Sequence, residues 1–233
     1  MLQRGIMTKY SLILLDADET LFDFRKAEEY AFAKSFAEYG LEPTENAYHA
    51  YDEINTALWR RLEKGEIDQK SLRVERFRLL FERLGLDKDA TRVSDAYVAW
   101  LSKASFLLDG AEELCSYLYE KYELVILSNG ITEVQRGRLA LSPIRRYISN
   151  LIVSEEEGCA KPDTAIFERA LAHAGLFDKS KTLMIGDSLS SDIQGGVNFG
   201  IDTCWINWSG APNNTDLRPT YEVRKLADLR AIL

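Results

Sequence analysis

The chain reads as an α/β protein, a Rossmann-like parallel sheet core with an inserted all-helical cap domain. Three observations carry that reading. Short apolar runs at 12–15, 124–127, 151–153 and 182–185 have the length and continuity of strands buried on both faces. Helical periodicity separates these runs from residue 109 onward, the alternation of a sheet covered on both sides. Between Asp16 and Ser128 lie 112 steps of chain, against about 30 for a βαβ unit. The surplus of about 80 residues shows helical spacing alone.

The first strand runs into Asp16-Ala17-Asp18-Glu19-Thr20. Carboxylates at i and i+2 share one side while the chain stays extended. Ligands of open parallel sheets bind beyond the carboxyl ends of the strands, where Asp16 falls. No base separates the two acids, so the pair invites a cation. Helical patterns follow over 27–39, closed by Gly40 with Pro43 beyond, and over 45–64, broken by Gly65. Two more cover 69–84, with Gly85 as its cap, and 88–104. This block is helical throughout.

From Asp109 the pattern alternates. Asp109-Gly110-Ala111-Glu112 predicts a capping box opening a helix to about 120. The strand over 124–127 ends in Ser128-Asn129-Gly130, and Thr132-Glu133-Val134-Gln135 predicts a second capping box. After the strand at 151–153, residues 154–161 read as a loop. Asp163 is expected to cap a helix running to Ala174 and closed by Gly175. The strand at 182–185 ends in Gly186-Asp187, a fifth is expected at 203–206, and 221–233 reads as a short strand with a terminal helix. The expected division is a core of 1–23 with 105–233 and a cap of 24–104.

Composition sets bounds on function. With 46% apolar and 28% charged residues, the chain has the material for a folded soluble core. Its net charge of −8 comes without a basic run, so nothing favours nucleic acid or an anionic membrane. A phosphate-bearing substrate therefore needs its charge met locally. Apolar runs are too short to span a membrane. Residues 1–7 lack the apolar stretch of a signal peptide and read as a loose leader. Cys115, Cys159 and Cys204 are odd in number and fit small core positions in a reduced, cytoplasmic protein. An acidic monomer is the default expectation. His49 and His173 are the only histidines, which leaves the chemistry to carboxylates.

In a parallel sheet the strand ends converge on one edge. That brings together Asp16 and Asp18, then Ser128, Asn129 and Gly130 at a helix start suited to anions, then Lys161, then Asp187 and Asp192. Singly, each has a plainer reading: Ser128 as a turn residue, Lys161 as a surface charge, Asp187 and Asp192 as loop acids, Gly195-Gly196 as a loop or helix-packing detail. Arg73, Arg76 and Arg78 read as a solvated helix face, His173 as a surface residue, and His49 is given no role.

Together, Asp16-x-Asp18-x-Thr20, Ser128-Asn129-Gly130, Lys161-Pro162 and Gly186-Asp187-x-x-x-x-Asp192 resemble the four motifs of the haloacid dehalogenase-like hydrolase superfamily. The insertion sits where that family carries its first cap type. The resemblance implies Asp16 as nucleophile forming an aspartyl-phosphate, and Asp18 as the acid that protonates the leaving alkoxide and later activates water. It implies magnesium held by Asp16, the backbone carbonyl of Asp18, and Asp187. Ser128, Asn129 and Lys161 would bind the phosphoryl group, with Thr20 and Asp192 supporting from behind. Dehalogenases of the superfamily lack an acid at the position of Asp18, so the implied reaction is phosphate ester hydrolysis.

The opening motif through Phe24, and the cap stretches at 59–67 and 72–77, are similar to bacterial pyrimidine 5′-nucleotidases. The implied substrate is a nucleoside 5′-monophosphate, with Phe22 as a base-stacking ring and Gly65 letting a cap loop approach. Trp59 reads as cap core. A sugar-phosphate or phosphoglycolate phosphatase, or a phosphosugar mutase, would use the same motifs. A non-catalytic binding protein on this fold is the alternative of another class.

Overall fold

A six-stranded, all-parallel sheet in the order β3-β2-β1-β4-β5-β6 forms the centre of the computed structural model, which describes residues 9–176 and 178–233. The expected leader at 1–7 lies outside the described residues. The strands are β1 Leu12–Leu15, β2 Glu123–Ser128, β3 Asn150–Val153, β4 Thr182–Gly186, β5 Asp202–Ile206 and β6 Tyr221–Val223. Beyond the expected five, β6 is the short strand read at residue 221. The chain winds from β1 to β2 and β3 on one side, then returns so that β4 pairs with the other side of β1. That reversal opens a crevice at the carboxyl ends of β1 and β4.

Both faces of the central strands are apolar, as continuous hydrophobic runs require. Ile13, Leu15, Ile126 and Ile185 pack with Leu114 and Leu118 of a helix at Ala111–Tyr119 and with Leu226 and Leu229. Leu12, Leu14, Val125, Leu127 and Met184 face Ile166, Phe167 and Ala170 of a helix at Thr164–His173. Gly195 and Gly196 are helix-packing residues of a short helix at Gln194–Phe199. A Cβ on Gly195 would stand 2.6 Å from the Phe167 ring, and one on Gly196 2.4 Å from Thr203 Cγ2.

Some local expectations give way. The helix at Ala111–Tyr119 starts after Gly110, at φ 84°, with no side-chain cap; Asp109 is exposed. The helix at Thr132–Leu141 has Ile131 at its N-cap, and the Thr132 N–H donates to Glu155 Oε2 instead. Ser154–Glu157, read as loop, forms one helical turn closed by Gly158 at φ 66°. Asp163 does cap its helix, accepting from the Ala165 N–H.

The described chain forms two compact units. One includes the residues up to Phe24 and Phe106–Leu233; the other is Arg25–Ser105. Within the first unit the outgoing and returning segments are tied to each other: the Asp23 N–H donates to Phe106 O at 3.0 Å, the Leu108 N–H to Leu21 O at 3.0 Å, and Phe22 bridges Leu107 antiparallel.

The second unit comprises α1 (Phe24–Glu38, from Arg25 on), α2 (Glu45–Glu63), α3 (Gln69–Leu84) and α4 (Ala90–Leu101). Thr44, Asp68 and Asp89 cap α2, α3 and α4. Gly65 follows α2 at φ 71°, its N–H donating to Leu62 O, so its freedom at positive φ ends the helix. Phe32, Phe36, Tyr51, Phe77, Phe81 and Tyr97 form an aromatic interior. Trp59 is half-buried.

Arg76 corrects the solvated-face reading of α3. It is buried, whereas Arg78 is exposed and paired with Glu75 and Glu82. The Arg76 guanidinium lies 4.4 Å from the Tyr97 ring centre and donates to Asn55 Oδ1 and the Tyr51 hydroxyl, both at 3.3 Å. Asn55 in turn donates to buried Glu28 at 2.8 Å. Burial pushes Glu28 up to about 7, against the opposing pull of Arg76.

Candidate active site

At the carboxyl edge of the sheet the backbone itself aims the first acid. The Asp16 N–H donates to Ile185 O at 2.9 Å, continuing the β1–β4 ladder and presenting the side chain beyond the strand ends. Lys161 comes in from the loop after β3. Its side chain is 1% exposed, and its ammonium donates three hydrogen bonds, to Asp16 Oδ1 at 2.5 Å, Leu127 O at 2.6 Å and Asp192 Oδ1 at 2.7 Å. All three ammonium protons are thereby used. Asp192 sits in a wide helical turn after β4, accepts from the Ser188 N–H at 3.0 Å, and fills the space left by Gly186. A Cβ there would lie 2.2 Å from Asp192 Oδ2, so this position demands glycine.

Asp16, Asp187 and Asp192 bring carboxylate oxygens within 4.8 Å of one another. Three acids against one lysine leave an excess of negative charge. Burial raises the Asp16 carboxyl well above its usual range; Lys161 opposes the rise, while Asp192, Asp187 and Asp18 add to it. Burial also lifts Asp187, to about 7, with Asp192 contributing. Lys161 is held as a cation: burial works against its charge, but Asp16 and Asp192 outweigh that and raise its pKa. Hard oxygen donors crowded with unbalanced charge fit a divalent cation of the magnesium kind.

The remaining expected residues take distinct places. Ser128 is buried, its hydroxyl accepting from the Gly130 N–H at 3.0 Å. The Asn129 side chain is committed to Lys161, accepting from its N–H and donating to its carbonyl, both at 2.8 Å. It therefore orients the lysine, and its side chain is not free for phosphate as expected. Thr20 is fully buried, its hydroxyl without a hydrogen-bond partner among the described residues. Phe22 corrects the base-stacking expectation: it is 1% exposed in the core, with the Arg138 guanidinium 4.9 Å from its ring centre. Gly65 lies in the helical unit and is exposed.

Asp18 stands apart from the acid cluster. Gln135 Nε2 donates to its Oδ2 at 2.8 Å, and Arg138 pairs with its Oδ1. The sequence offers Gln135 only as part of a capping box and gives Arg138 no role, although two polar residues at i and i+3 beside Val134 and Leu139 on a buried face are a readable signal. Two tryptophans steady the loops: Trp205 Nε1 donates to Asp187 O at 2.9 Å and Trp208 Nε1 to Glu19 O at 2.7 Å. Glu19 itself adopts φ 55°, a left-handed turn that bends the chain after Asp18.

This order of strand-end groups on this sheet defines the haloacid dehalogenase-like hydrolases, and the chain belongs to that family, whose sequence profile matches residues 10–200. It is 40% identical to the pyrimidine 5′-nucleotidase PynA of Streptococcus pneumoniae, over 94% of this chain and 93% of that one. It is 33% identical to the pyrimidine 5′-nucleotidase YjjG of Escherichia coli, over 97% and 98%. The crystal structure of the HAD-hydrolase YfnB from Bacillus subtilis, bound to magnesium, superposes with a TM-score of 0.91 at 35% identity, covering 97% of this chain and 99% of that one. Among the described residues, no helix is long and apolar enough to cross a membrane.

Proposed function

We propose that the chain is a magnesium-dependent phosphatase acting through an aspartyl-phosphate at Asp16, with pyrimidine nucleoside 5′-monophosphates as substrates. The observation that carries this is the buried Lys161 ammonium bridging Asp16 and Asp192 beside Asp187, with Asp18 two residues beyond Asp16. The nucleotidase names of PynA and YjjG support the substrate class. Asp16, Asp187 and the Asp18 carbonyl would hold the ion, which when bound supplies Lewis-acid stabilisation of the phosphoryl charge.

An Asp16 carboxylate oxygen attacks phosphorus, the bond from phosphorus to the ester oxygen breaks, and Asp18 gives its proton to the departing alkoxide. Water then attacks the aspartyl-phosphate, Asp18 takes the water proton, and phosphate leaves as the Asp16 carboxylate is restored. Lys161 neutralises the transferring group by its charge, and the Ser128 hydroxyl orients it. Asn129 keeps Lys161 in register through both backbone bonds. The Arg25–Ser105 unit acts as the cap that selects the ester.

The test is phosphate release, with magnesium present, from a panel of nucleoside monophosphates, sugar phosphates and phosphoglycolate. Preference for UMP, dUMP or dTMP supports the reading. Preference for a sugar phosphate or phosphoglycolate overturns the substrate and keeps the chemistry. No release from a folded, magnesium-loaded protein overturns both.

A further inference from the structure

Asp18 is the one group of the proposed mechanism that must handle a proton twice, and its carboxylate is held by two side chains of the helix at Thr132–Leu141, Gln135 and Arg138. Its side chain is 28% exposed while that of Arg138 is fully buried and Gln135 is 2% exposed. Each carboxylate oxygen has its own donor, Arg138 on Oδ1 and Gln135 on Oδ2, and Arg138 also donates to Gln135 Oε1 at 3.0 Å. The result is a closed triangle that leaves the carboxylate one orientation. Arg138 is fixed in turn by the rings of Phe22 and Phe24, at 4.9 and 5.7 Å. Gln135 reaches Asp18 across Gly130, where a Cβ would stand 2.3 Å from its Nε2. The glycine of Ser128-Asn129-Gly130 thus leaves room for the amide.

A buried arginine is poor value as a stabiliser, since desolvation offsets most of its ion-pair energy. Its placement here, against a part-open acid at a strand end, calls for another account. We propose that Gln135 and Arg138 are positioning residues that fix Asp18 for both proton transfers, and that Gly130 is small so that Gln135 can do so. The inference rests on the phosphatase reading above.

The test compares two esters, with magnesium, in Gln135→Leu, Arg138→Met and Arg138→Lys. One is UMP, or the alkyl phosphate the wild type hydrolyses fastest, whose alkoxide needs a proton. The other is 2,4-dinitrophenyl phosphate, whose phenolate leaves without one. Misplacing a catalytic group by about 1 Å costs about 10²-fold, so Gln135→Leu is expected to lose about that factor in kcat on the alkyl ester with KM held. The pre-steady-state burst of dinitrophenolate should survive, because attack by Asp16 is untouched. Arg138→Lys should recover part of the kcat lost in Arg138→Met, and Gly130→Ala should resemble Gln135→Leu. Unchanged kcat in Gln135→Leu, or loss of the burst together with alkyl turnover in that folded variant, overturns the proposal. A wild type giving neither burst nor phosphate overturns the phosphatase reading itself.

Discussion

At the carboxyl edge of the sheet one lysine stands among three aspartates, whereas inside the helical unit one arginine stands against one glutamate. Both groups are buried and both are threaded by hydrogen bonds. In the helical unit, Asn55 and Tyr51 lie between Glu28 and Arg76 and aromatic rings enclose the guanidinium, so one charge faces one opposite charge within the protein, although Arg76 Nη2 is left without a hydrogen-bond partner among the described residues. At the sheet edge the charges do not balance: Lys161 spends its three protons on Asp16, Leu127 O and Asp192, and Asp187 adds a further charge. Burial of charge alone therefore does not mark a site. Uncompensated charge of one sign, at the open end of a crevice, does.

The contrast can be broken by substitution. Asp16→Asn removes the proposed nucleophile and should lower phosphate release by about 10⁴-fold or more, with circular dichroism unchanged; near-normal turnover would sink the covalent mechanism. Arg76→Met strands Glu28 without its partner and should lower unfolding free energy by about 3–5 kcal/mol. Because that cluster is structural, kcat in the folded variant should stay within a few-fold, and a large kcat loss would erase the distinction drawn here.

Glu28 sharpens it further. The folded protein holds the Glu28 proton more tightly than the unfolded chain, with values of about 7 against 4.5. Its contribution to stability is therefore highest below the unfolded value and falls as pH rises toward 7, by about 3 kcal/mol. Glu28→Gln should remove that slope from denaturant titrations run between pH 4 and 8 (an interval of about four units). The smallest effect belongs to the ion. Magnesium at about 100 times its Kd should raise unfolding free energy by about 2.7 kcal/mol, and Asp187→Asn should abolish the gain. An equal gain in that variant would place the ion elsewhere.

The sheet and its strand ends were readable because each depends on neighbours in sequence: an apolar run, then Asp16, Ser128 or Gly186-Asp187. What escaped depends on partners far along the chain. Arg76 resembles a solvated residue until Tyr51 and Tyr97, from two other helices, close around it. Phe22 looks available for stacking until Arg138 covers its ring. Asn129 looks like a phosphate ligand until the loop at Lys161 claims both ends of its amide. Gln135 looks like half of a capping box until its amide crosses 117 positions to Asp18. Local propensity placed the elements, but side chains with two possible partners were decided by tertiary distance.

The segments around Phe22 and Leu107 are tied together at the base of the insertion. To the core, everything between them is a loop already closed. Closure entropy grows only with the logarithm of loop length, by about 0.6 kcal/mol for each doubling. Residues 25–105 can therefore be lengthened, shortened or exchanged at almost no thermodynamic penalty to the sheet. Chain topology thus uncouples the length of the insertion from the placement of Asp16, Lys161 and Asp192, which stay where the strands put them.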